Sequence, residues 1–241
     1  MQNMKILLLH FTKRQEVSRK TFKKAFAKFG LEPEIQSFNA LDEFPEMSLI
    51  EKYERIIFTG SEFSFEGLNE PEEVRQKAIE LGKSYKEFIF HLVDSSTPSL
   101  AICFGHQLFG FAYGQTVAHN KCLFKAGAFK VLINSKEAKE DPLLKGLPEE
   151  FLAAYMHQDV VFGKPEEARV LASGEKCNFA ILKYGQNSYT TQFHPEFDKE
   201  VLHERYRTYP NYFKKQDSWS EDLLKDTPEA NKILKNFVLN F

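Results

Sequence analysis

Cys103 is the residue whose surroundings most clearly favour chemistry. Residues 101–107 read Ala-Ile-Cys-Phe-Gly-His-Gln, between an apolar run at 99–102 and a helix-like segment at 108–113. Small residues two before and two after the cysteine suit a sharp strand-to-helix turn, which lifts a nucleophile above the carboxyl end of a sheet. The positive end of the following helix would favour the thiolate. A lone cysteine is more often buried and structural, so this segment favours a reactive thiol only by a small margin.

His194 and Glu196 supply a base and a carboxylate in a second segment. Residues 191–196 read Thr-Gln-Phe-His-Pro-Glu. The proline biases His194 towards extended backbone, in which residues two apart project to the same side. The imidazole can then act as a base that the carboxylate orients. Taken alone, the pair could be a solvated loop, but a cysteine elbow elsewhere in the chain favours a shared site.

Strands that alternate with helices must position these segments. Short aliphatic runs at 5–10, 34–38, 55–59 and 99–102 are typical of buried strands in parallel sheets. Helical spacing at 17–29 and 70–96 predicts helices, the first stopped by Gly30 and the second begun at Pro71, with Gly82 as its candidate break. The fold predicted is therefore α/β with a mostly parallel sheet.

The middle of the chain has a different pattern. Its short strands follow one another with little helix between them, which predicts an antiparallel extension or a mixed sheet. These strands are expected at 116–119, 125–133, 151–155, 168–173, 179–184 and 188–192.

Composition excludes several classes of function. The chain has 241 residues, with 32 Lys and Arg against 34 Asp and Glu and a formal net charge of −2. This balance gives no electrostatic argument for a nucleic-acid or anionic-membrane partner. Three cysteines are too few for a disulfide framework, and no apolar run suits a signal peptide or a membrane span. A cytoplasmic protein is expected.

One domain is expected over residues 1–241, with the motifs in about 4–197 and a helical cover at 198–241. The cover ends in a helix-like segment at 228–237. No dinucleotide or P-loop fingerprint is present, so no cofactor is expected. Cys122 and Cys177 lack metal-ligand spacing. A zinc site of Cys103, His194 and His157 can be drawn, but the elbow favours a nucleophile, and no metal is expected.

These segments resemble those of the class I, triad-type glutamine amidotransferases, most closely the glutaminase domain of GMP synthase and its free-standing relatives. The family's Gly-hydrophobic-Cys-x-Gly-x-Gln elbow stands at 101–107, with Ala101 for the first glycine, and its His-Pro-Glu stands at 194–196. Weaker signatures follow in the expected order, Ile-Phe-Thr-Gly-Ser at 57–61 and His-Gln-Asp at 157–159. The resemblance implies a flavodoxin-like central sheet with flanking helices and a small antiparallel extension.

The resemblance also implies roles for the reactive residues. Cys103 would attack a γ-glutamyl amide to form a γ-glutamyl thioester, His194 would serve as base and then acid, and Glu196 would orient it. The N–H groups of Phe104 and of Gly60 or Ser61 would stabilise the oxyanion. The family's loop is usually Gly-Gly-Pro, whereas residues 60–62 here are Gly-Ser-Glu.

Substrate contacts follow from the same resemblance. Gln107 would contact the substrate amide, and the backbone around Gln158 and Asp159 would hold its α-amino and α-carboxylate end. His157 and Asp159 are interpreted as a conformational lock on a loop. His106 is interpreted as a packing residue.

Three functions remain open at this level. The first is a free-standing hydrolase of glutamine or γ-glutamyl compounds, because no synthase module follows Phe241. The second is a glutaminase subunit that delivers ammonia to a separate synthase partner. The third, least favoured because the set of Cys103, His194 and Glu196 is complete, is a non-catalytic regulatory module.

Overall fold

A large sheet forms the centre of the computed structural model, which describes residues 4–241. Its strands and those of a smaller sheet are β1 (Lys5–His10), β2 (Glu34–Asn39), β3 (Arg55–Phe58), β4 (Ser99–Ile102), β5 (Thr116–His119), β6 (Lys125–Ile133), β7 (Glu150–His157), β8 (Asp159–Phe162), β9 (Ala168–Gly174), β10 (Cys177–Tyr184) and β11 (Ser188–Thr191).

The helices lie between and after these strands. They are α1 (Gln15–Ala27), α2 (Leu49–Lys52), α3 (Glu72–Ser84), α4 (Lys86–Asp94), α5 (Phe104–Ala112), α6 (Lys136–Lys139), α7 (Lys199–Thr208), α8 (Pro210–Phe213) and α9 (Pro228–Leu239). Within residues 4–241, no helix is long and apolar enough to cross a bilayer.

The order of the strands brings three chain segments to one edge of the sheet. The large sheet runs β2-β1-β3-β4-β11-β10-β9-β6-β7, and its first five strands are parallel. The remaining strands pair antiparallel. Because β4 lies between β3 and β11, the segments that leave the carboxyl ends of these three strands are neighbours. Those segments begin at Thr59, Cys103 and Gln192.

The predicted fold class is confirmed, and two details of it are corrected. β8 was not predicted; it pairs with β5 in a separate two-stranded sheet. The helix expected over 70–96 is two helices, which meet at Tyr85 and not at Gly82. Tyr85 is buried, and its hydroxyl donates to the carbonyls of Ala40 and Glu43, both at 3.4 Å. Gly82 lies inside α3, where a Cβ would come within 2.6 Å of the Phe111 ring.

The C-terminal segment packs closely on the rest of the chain. α9 lies against β7 and buries Ile233, Leu234 and Phe237 completely. The buried Arg55 side chain donates to the carbonyls of Phe237 (3.0 Å) and Val238 (3.4 Å), which lie in the last turn of α9. An arginine that satisfies the last carbonyls of a helix stabilises that helix end.

Lys125 places an ammonium group inside the core at the start of β6. Its side chain is 1% exposed, and its Nζ lies 4.3 Å from the centre of the Tyr155 ring and 5.0 Å from that of Phe129. No hydrogen-bond partner for Nζ is found in the described part of the chain. Burial lowers the pKa of Lys125 from 10.5 to about 8, against the opposing influence of Cys177. A cation held only by ring faces costs folding free energy.

Lys125→Met is expected to stabilise the protein at pH 7 by about 1–3 kcal/mol, because it removes this cost. The pKa of Lys125 is lower in the folded chain, so between pH 8 and pH 10.5 the unfolded chain binds more protons and the wild type gains stability as the pH rises. Urea unfolding should therefore show that the variant exceeds the wild type in free energy of unfolding by less at pH 10 than at pH 7. Lys130→Met, on the exposed part of the same strand, is the control. An advantage that does not depend on pH would contradict this account.

Candidate active site

Cys103 sits in a strained turn between β4 and α5. Its φ is 52° and its ψ is −97°, a left-handed conformation that costs a side chain-bearing residue about 1–3 kcal/mol. The turn requires small residues on either side of the cysteine, because a Cβ at Gly105 would lie 2.8 Å from Phe58 Cβ and 3.1 Å from Ala101 Cβ. The turn leaves the cysteine at the carboxyl edge of the sheet, at the N-terminus of α5.

The sulfur of Cys103 faces polar groups from two other segments. Its thiol reaches the Met156 carbonyl oxygen at 3.7 Å, and the Gln192 Nε2 donates to the sulfur at 3.9 Å. Gln192 is 1% exposed, so this amide is held inside the protein. The sulfur thus lies between the Gln192 amide and the N-terminus of α5.

His194 and Glu196 form a hydrogen-bonded pair beside the cysteine. His194 Nδ1 lies 2.8 Å from Glu196 Oε1, and both side chains are buried. The backbone N–H of His194 donates to the Ala154 carbonyl at 2.8 Å. The ring stacks on that of Phe197, with centroids 4.2 Å apart and planes at 10°. With Nδ1 bound to the carboxylate, Nε2 is the ring nitrogen left for a reacting group.

The C-terminal segment holds the backbone that carries this pair. Asn231 Nδ2, on α9, donates to the carbonyls of Pro195 (2.7 Å) and Phe197 (2.8 Å). Thr227 Oγ1 also donates to the Phe197 carbonyl, at 3.2 Å. The predicted cover thus fixes the turn that follows His194.

The charges around His194 favour its protonated form. Burial lowers the pKa of His194, but the Glu196 carboxylate and Cys103 outweigh it and raise the pKa well above 6.5. The other two histidines near the site behave oppositely: burial lowers the pKa of His106 to about 3 and that of His157 well below 6.5. His106 Nδ1 lies 2.7 Å from Thr190 Oγ1, in agreement with a packing role. Of these three, His194 is the one suited to carry a proton.

Gly60 lies against both Cys103 and His194. A Cβ at this position would come within 2.8 Å of His194 Cε1 and 3.6 Å of Cys103 Cβ. Within residues 4–241, the N–H groups of Gly60 and Ser61 donate to no other group. The Phe104 N–H belongs to the first turn of α5, where N–H groups lack a partner in the helix. These three N–H groups stay predicted oxyanion donors.

The unusual Gly-Ser-Glu loop is held by its own side chains. Ser61 Oγ accepts a hydrogen bond from the Phe63 N–H at 2.9 Å. Glu62 Oε1 accepts one from the Lys13 N–H, also at 2.9 Å. The residues that differ from the family pattern therefore brace the loop against its own next turn and against the segment after β1.

Asp159 and Gln158 anchor the continuation of this loop. The Asp159 carboxylate accepts hydrogen bonds from the N–H groups of Glu66 (3.0 Å) and Gly67 (2.8 Å). Gln158 Nε2 donates to Glu70 Oε1 at 2.8 Å. Asp159 thus holds the backbone at 66–67, and the loop lock expected of His157 and Asp159 together stays a prediction.

Gln107 is also engaged inside the protein: its Nε2 donates to the Asp159 carbonyl at 2.8 Å. Gln107, Gln158 and Asp159 all border the same cavity as Cys103. Their roles as substrate ligands stay predictions.

A cavity of about 470 Å³ opens in front of Cys103, His194 and Glu196. One of its walls, which comes from the C-terminal segment and from the loop after β1, was not predicted from the sequence. That wall includes Arg205, Tyr209, Tyr212 and Arg14. Arg205 lies on α7, Tyr209 in the break between α7 and α8, and Tyr212 on α8, so no single sequence period predicts that they meet.

The zinc site drawn as an alternative finds no support in the described residues. Among residues 4–241, no group of three His, Cys, Asp or Glu side chains is arranged to hold a metal ion. Cys122 is exposed and Cys177 is buried.

The chain matches one protein-family model, Glutamine amidotransferase class-I, over residues 19–207. It is 28% identical over 220 residues to gamma-glutamyl peptidase 3 of Arabidopsis thaliana, a match that covers 83% of this chain and 81% of that protein. It is 37% identical over 105 residues to one subunit of the glutamine-hydrolysing GMP synthase from Methanococcus maripaludis. That second match covers 43% of this chain and 53% of the synthase subunit, about half its length.

The fold has a close counterpart among solved structures. The crystal structure of a glutamine amidotransferase from Thermotoga maritima aligns with a TM-score of 0.69 over 99% of this chain and 96% of that one. Sequence identity in this alignment is 17%, so the likeness concerns the fold.

Glu196→Gln is expected to lower the pKa of the His194 imidazole, because it removes the carboxylate charge that offsets burial. His194 should then lose its proton at a lower pH than in the wild type. An NMR titration of the histidine ring signals measures this directly. Glu62→Gln removes a carboxylate from the same cavity without touching His194, and it should leave the His194 titration in place. If the His194 pKa in Glu196→Gln equals that of the wild type, the Glu196 carboxylate does not control the protonation of His194.

Proposed function

The chain belongs to the class-I glutamine amidotransferase family, and on this premise we propose that it hydrolyses the γ-glutamyl amide bond of glutamine or of a γ-glutamyl compound as a free-standing enzyme. The observation that carries the proposal is the meeting of three features in one cavity. These are a cysteine held in a strained elbow, a buried His194–Glu196 pair, and a loop in which the N–H groups of Gly60 and Ser61 have no partner in the described chain.

The first half of the reaction forms a thioester. The Cys103 thiolate attacks the γ-carbonyl carbon, and a carbon–sulfur bond forms. His194, protonated at Nε2, gives its proton to the departing nitrogen as the carbon–nitrogen bond breaks. Ammonia or an amine leaves, and the γ-glutamyl group stays on sulfur. The raised pKa of His194 supports this role, because an imidazolium is ready to act as an acid at neutral pH.

Oxyanion stabilisation belongs to the loop after β3 and the start of α5. The N–H of Phe104, with that of Gly60 or Ser61, would face the oxygen that becomes negative during attack. Each such donor commonly lowers a barrier by about 3 kcal/mol. The bracing of the loop by Ser61, Glu62 and Asp159 supports this proposal, since donors must be rigid before the charge develops.

The second half of the reaction regenerates the enzyme. His194, now neutral, removes a proton from water, and the resulting hydroxide attacks the thioester carbon. The carbon–sulfur bond breaks, glutamate leaves, and the thiolate and imidazolium are restored. Glu196 would keep the ring oriented through both halves.

A second candidate function is supported by the likeness to one subunit of a GMP synthase: this chain would be a glutaminase subunit that delivers ammonia to a separate synthase. The wall contributed by Arg205, Tyr209 and Tyr212 favours the free-standing enzyme, since these residues already cover part of the cavity. The likeness to the Arabidopsis gamma-glutamyl peptidase, which extends over 83% of this chain, points the same way.

The purified protein is expected to release glutamate from γ-glutamyl compounds, and Cys103→Ala is expected to lose at least about 10³-fold of that activity because the nucleophile is gone. Glutamate release from glutamine and from a panel of γ-glutamyl dipeptides measures this. Cys122→Ala is the matched control, since that cysteine is exposed and outside the cavity.

Three other outcomes separate the candidates. Retained turnover in Cys103→Ala would remove the mechanism. No turnover, with Cys103 alkylated rapidly by a glutamine-like electrophile, would favour the subunit that waits for a partner. No turnover and a slow-reacting Cys103 would contradict both.

A further inference from the structure

One wall of the cavity combines Arg205, which lies within the family match, with residues that lie outside it. The family match spans residues 19–207, whereas Lys13 and Arg14 precede it and Tyr209 and Tyr212 follow it. Pockets of roughly 300–1,000 Å³ take ligands much larger than glutamine, and this cavity measures about 470 Å³. The wall therefore has room to bind a part of the substrate beyond the glutamyl group.

The three cations of this wall are held by aromatic rings. A ring face restrains a cation without neutralising it, so the charge stays available to an anion. The distances from the charged group to the ring centre are 5.8 Å for Lys13 on Phe63, 5.0 Å for Arg14 on Tyr209, and 5.6 Å for Arg205 on Phe197.

No carboxylate in residues 4–241 forms an ion pair with these cations. The acidic side chains that border the cavity form hydrogen bonds with other groups. These are Glu196 with His194, Asp159 with the backbone at 66–67, Glu62 with the Lys13 N–H, and Glu70 with Gln158. A bound anion would gain charge-assisted hydrogen bonds from this wall at no cost to existing pairs.

Arg205 borders the same cavity as Cys103 and lies next to the stacked rings of His194 and Phe197. Its guanidinium lies over Phe197, and the Phe197 ring stacks on His194, the group that would protonate the leaving nitrogen. We infer that Arg205, assisted by Arg14, binds a carboxylate carried by the leaving group, so that the preferred substrates are γ-glutamyl amino acids or peptides and not free glutamine. This inference rests on the proposed function.

Two substrates that differ in one group test it: γ-glutamylglycine and γ-glutamylglycinamide. The wild type should prefer the carboxylate substrate by about tenfold or more in kcat/KM, the usual size of a hydrogen-bonded contact to a charged group. Arg205→Met should reduce this ratio nearly to one. Arg207→Met, an exposed arginine on the same helix that does not border the cavity, should leave both rates unchanged.

Two results would overturn the inference. If the wild type hydrolyses both compounds equally well, the leaving-group carboxylate is not recognised. If Arg205→Met slows both compounds by the same factor, the arginine binds the α-carboxylate that they share.

A binding measurement separates this inference from the proposed function. In Cys103→Ala, calorimetry should show tighter binding of γ-glutamylglycine than of the amide, and the added Arg205→Met change should remove the difference. If the wild type hydrolyses γ-glutamyl compounds but Cys103→Ala binds γ-glutamylglycine and its amide equally tightly, the inference is wrong and the proposed function still holds. If γ-glutamylglycine binds more tightly than its amide but the wild type hydrolyses neither compound, the anion site is supported and the proposed function is contradicted.

Discussion

Parallel pairing of β4 with β3 on one side and β11 on the other is the constraint on which the site depends. The pairing is in register, with Ala101 opposite Phe58 and Ile102 opposite Thr191, so the three strands end at the same level. Gly60, Cys103 and His194 follow these ends within a few residues, although they are far apart in the chain. The strained backbone at Cys103 is tolerated because both flanking elements, β4 and α5, are buried and fixed.

The electrostatics of the site depend in turn on the C-terminal segment. Burial alone would keep His194 neutral, as it does His157, and the nearby Glu196 reverses this. Glu196 stays in place because Asn231 holds the carbonyls on either side of it, and Asp198 caps α7 through the Val201 N–H. Asp198 also pairs with Lys24 of α1 and with Lys28, the residue that follows α1, which ties the turn to the parallel half of the sheet. The tail is therefore part of the machinery that orients the histidine.

The sequence was sufficient to predict the parts of the molecule that depend on local spacing. The strand Ser99–Ile102, the turn at Cys103 and the His-x-Glu geometry follow from residue size and from the period of an extended chain. It was insufficient where long-range packing decides. The break at Tyr85 depends on two carbonyls some forty residues away, and Gly82 is required by the Phe111 ring, so neither could be predicted locally. Arg14 and Arg205 could not be singled out from the sequence, because only the fold shows that they border the cavity and that no carboxylate within residues 4–241 pairs with them.

The central claim is that Cys103 carries the γ-glutamyl group between the two halves of the reaction. Rapid acid quenching of the enzyme with a γ-glutamyl anilide, followed by mass spectrometry of the digested protein, tests it most directly. We expect one γ-glutamyl group on the peptide that contains Cys103, formed at the rate of aniline release and lost at the rate of glutamate release. Turnover of the anilide with that peptide never modified would contradict it.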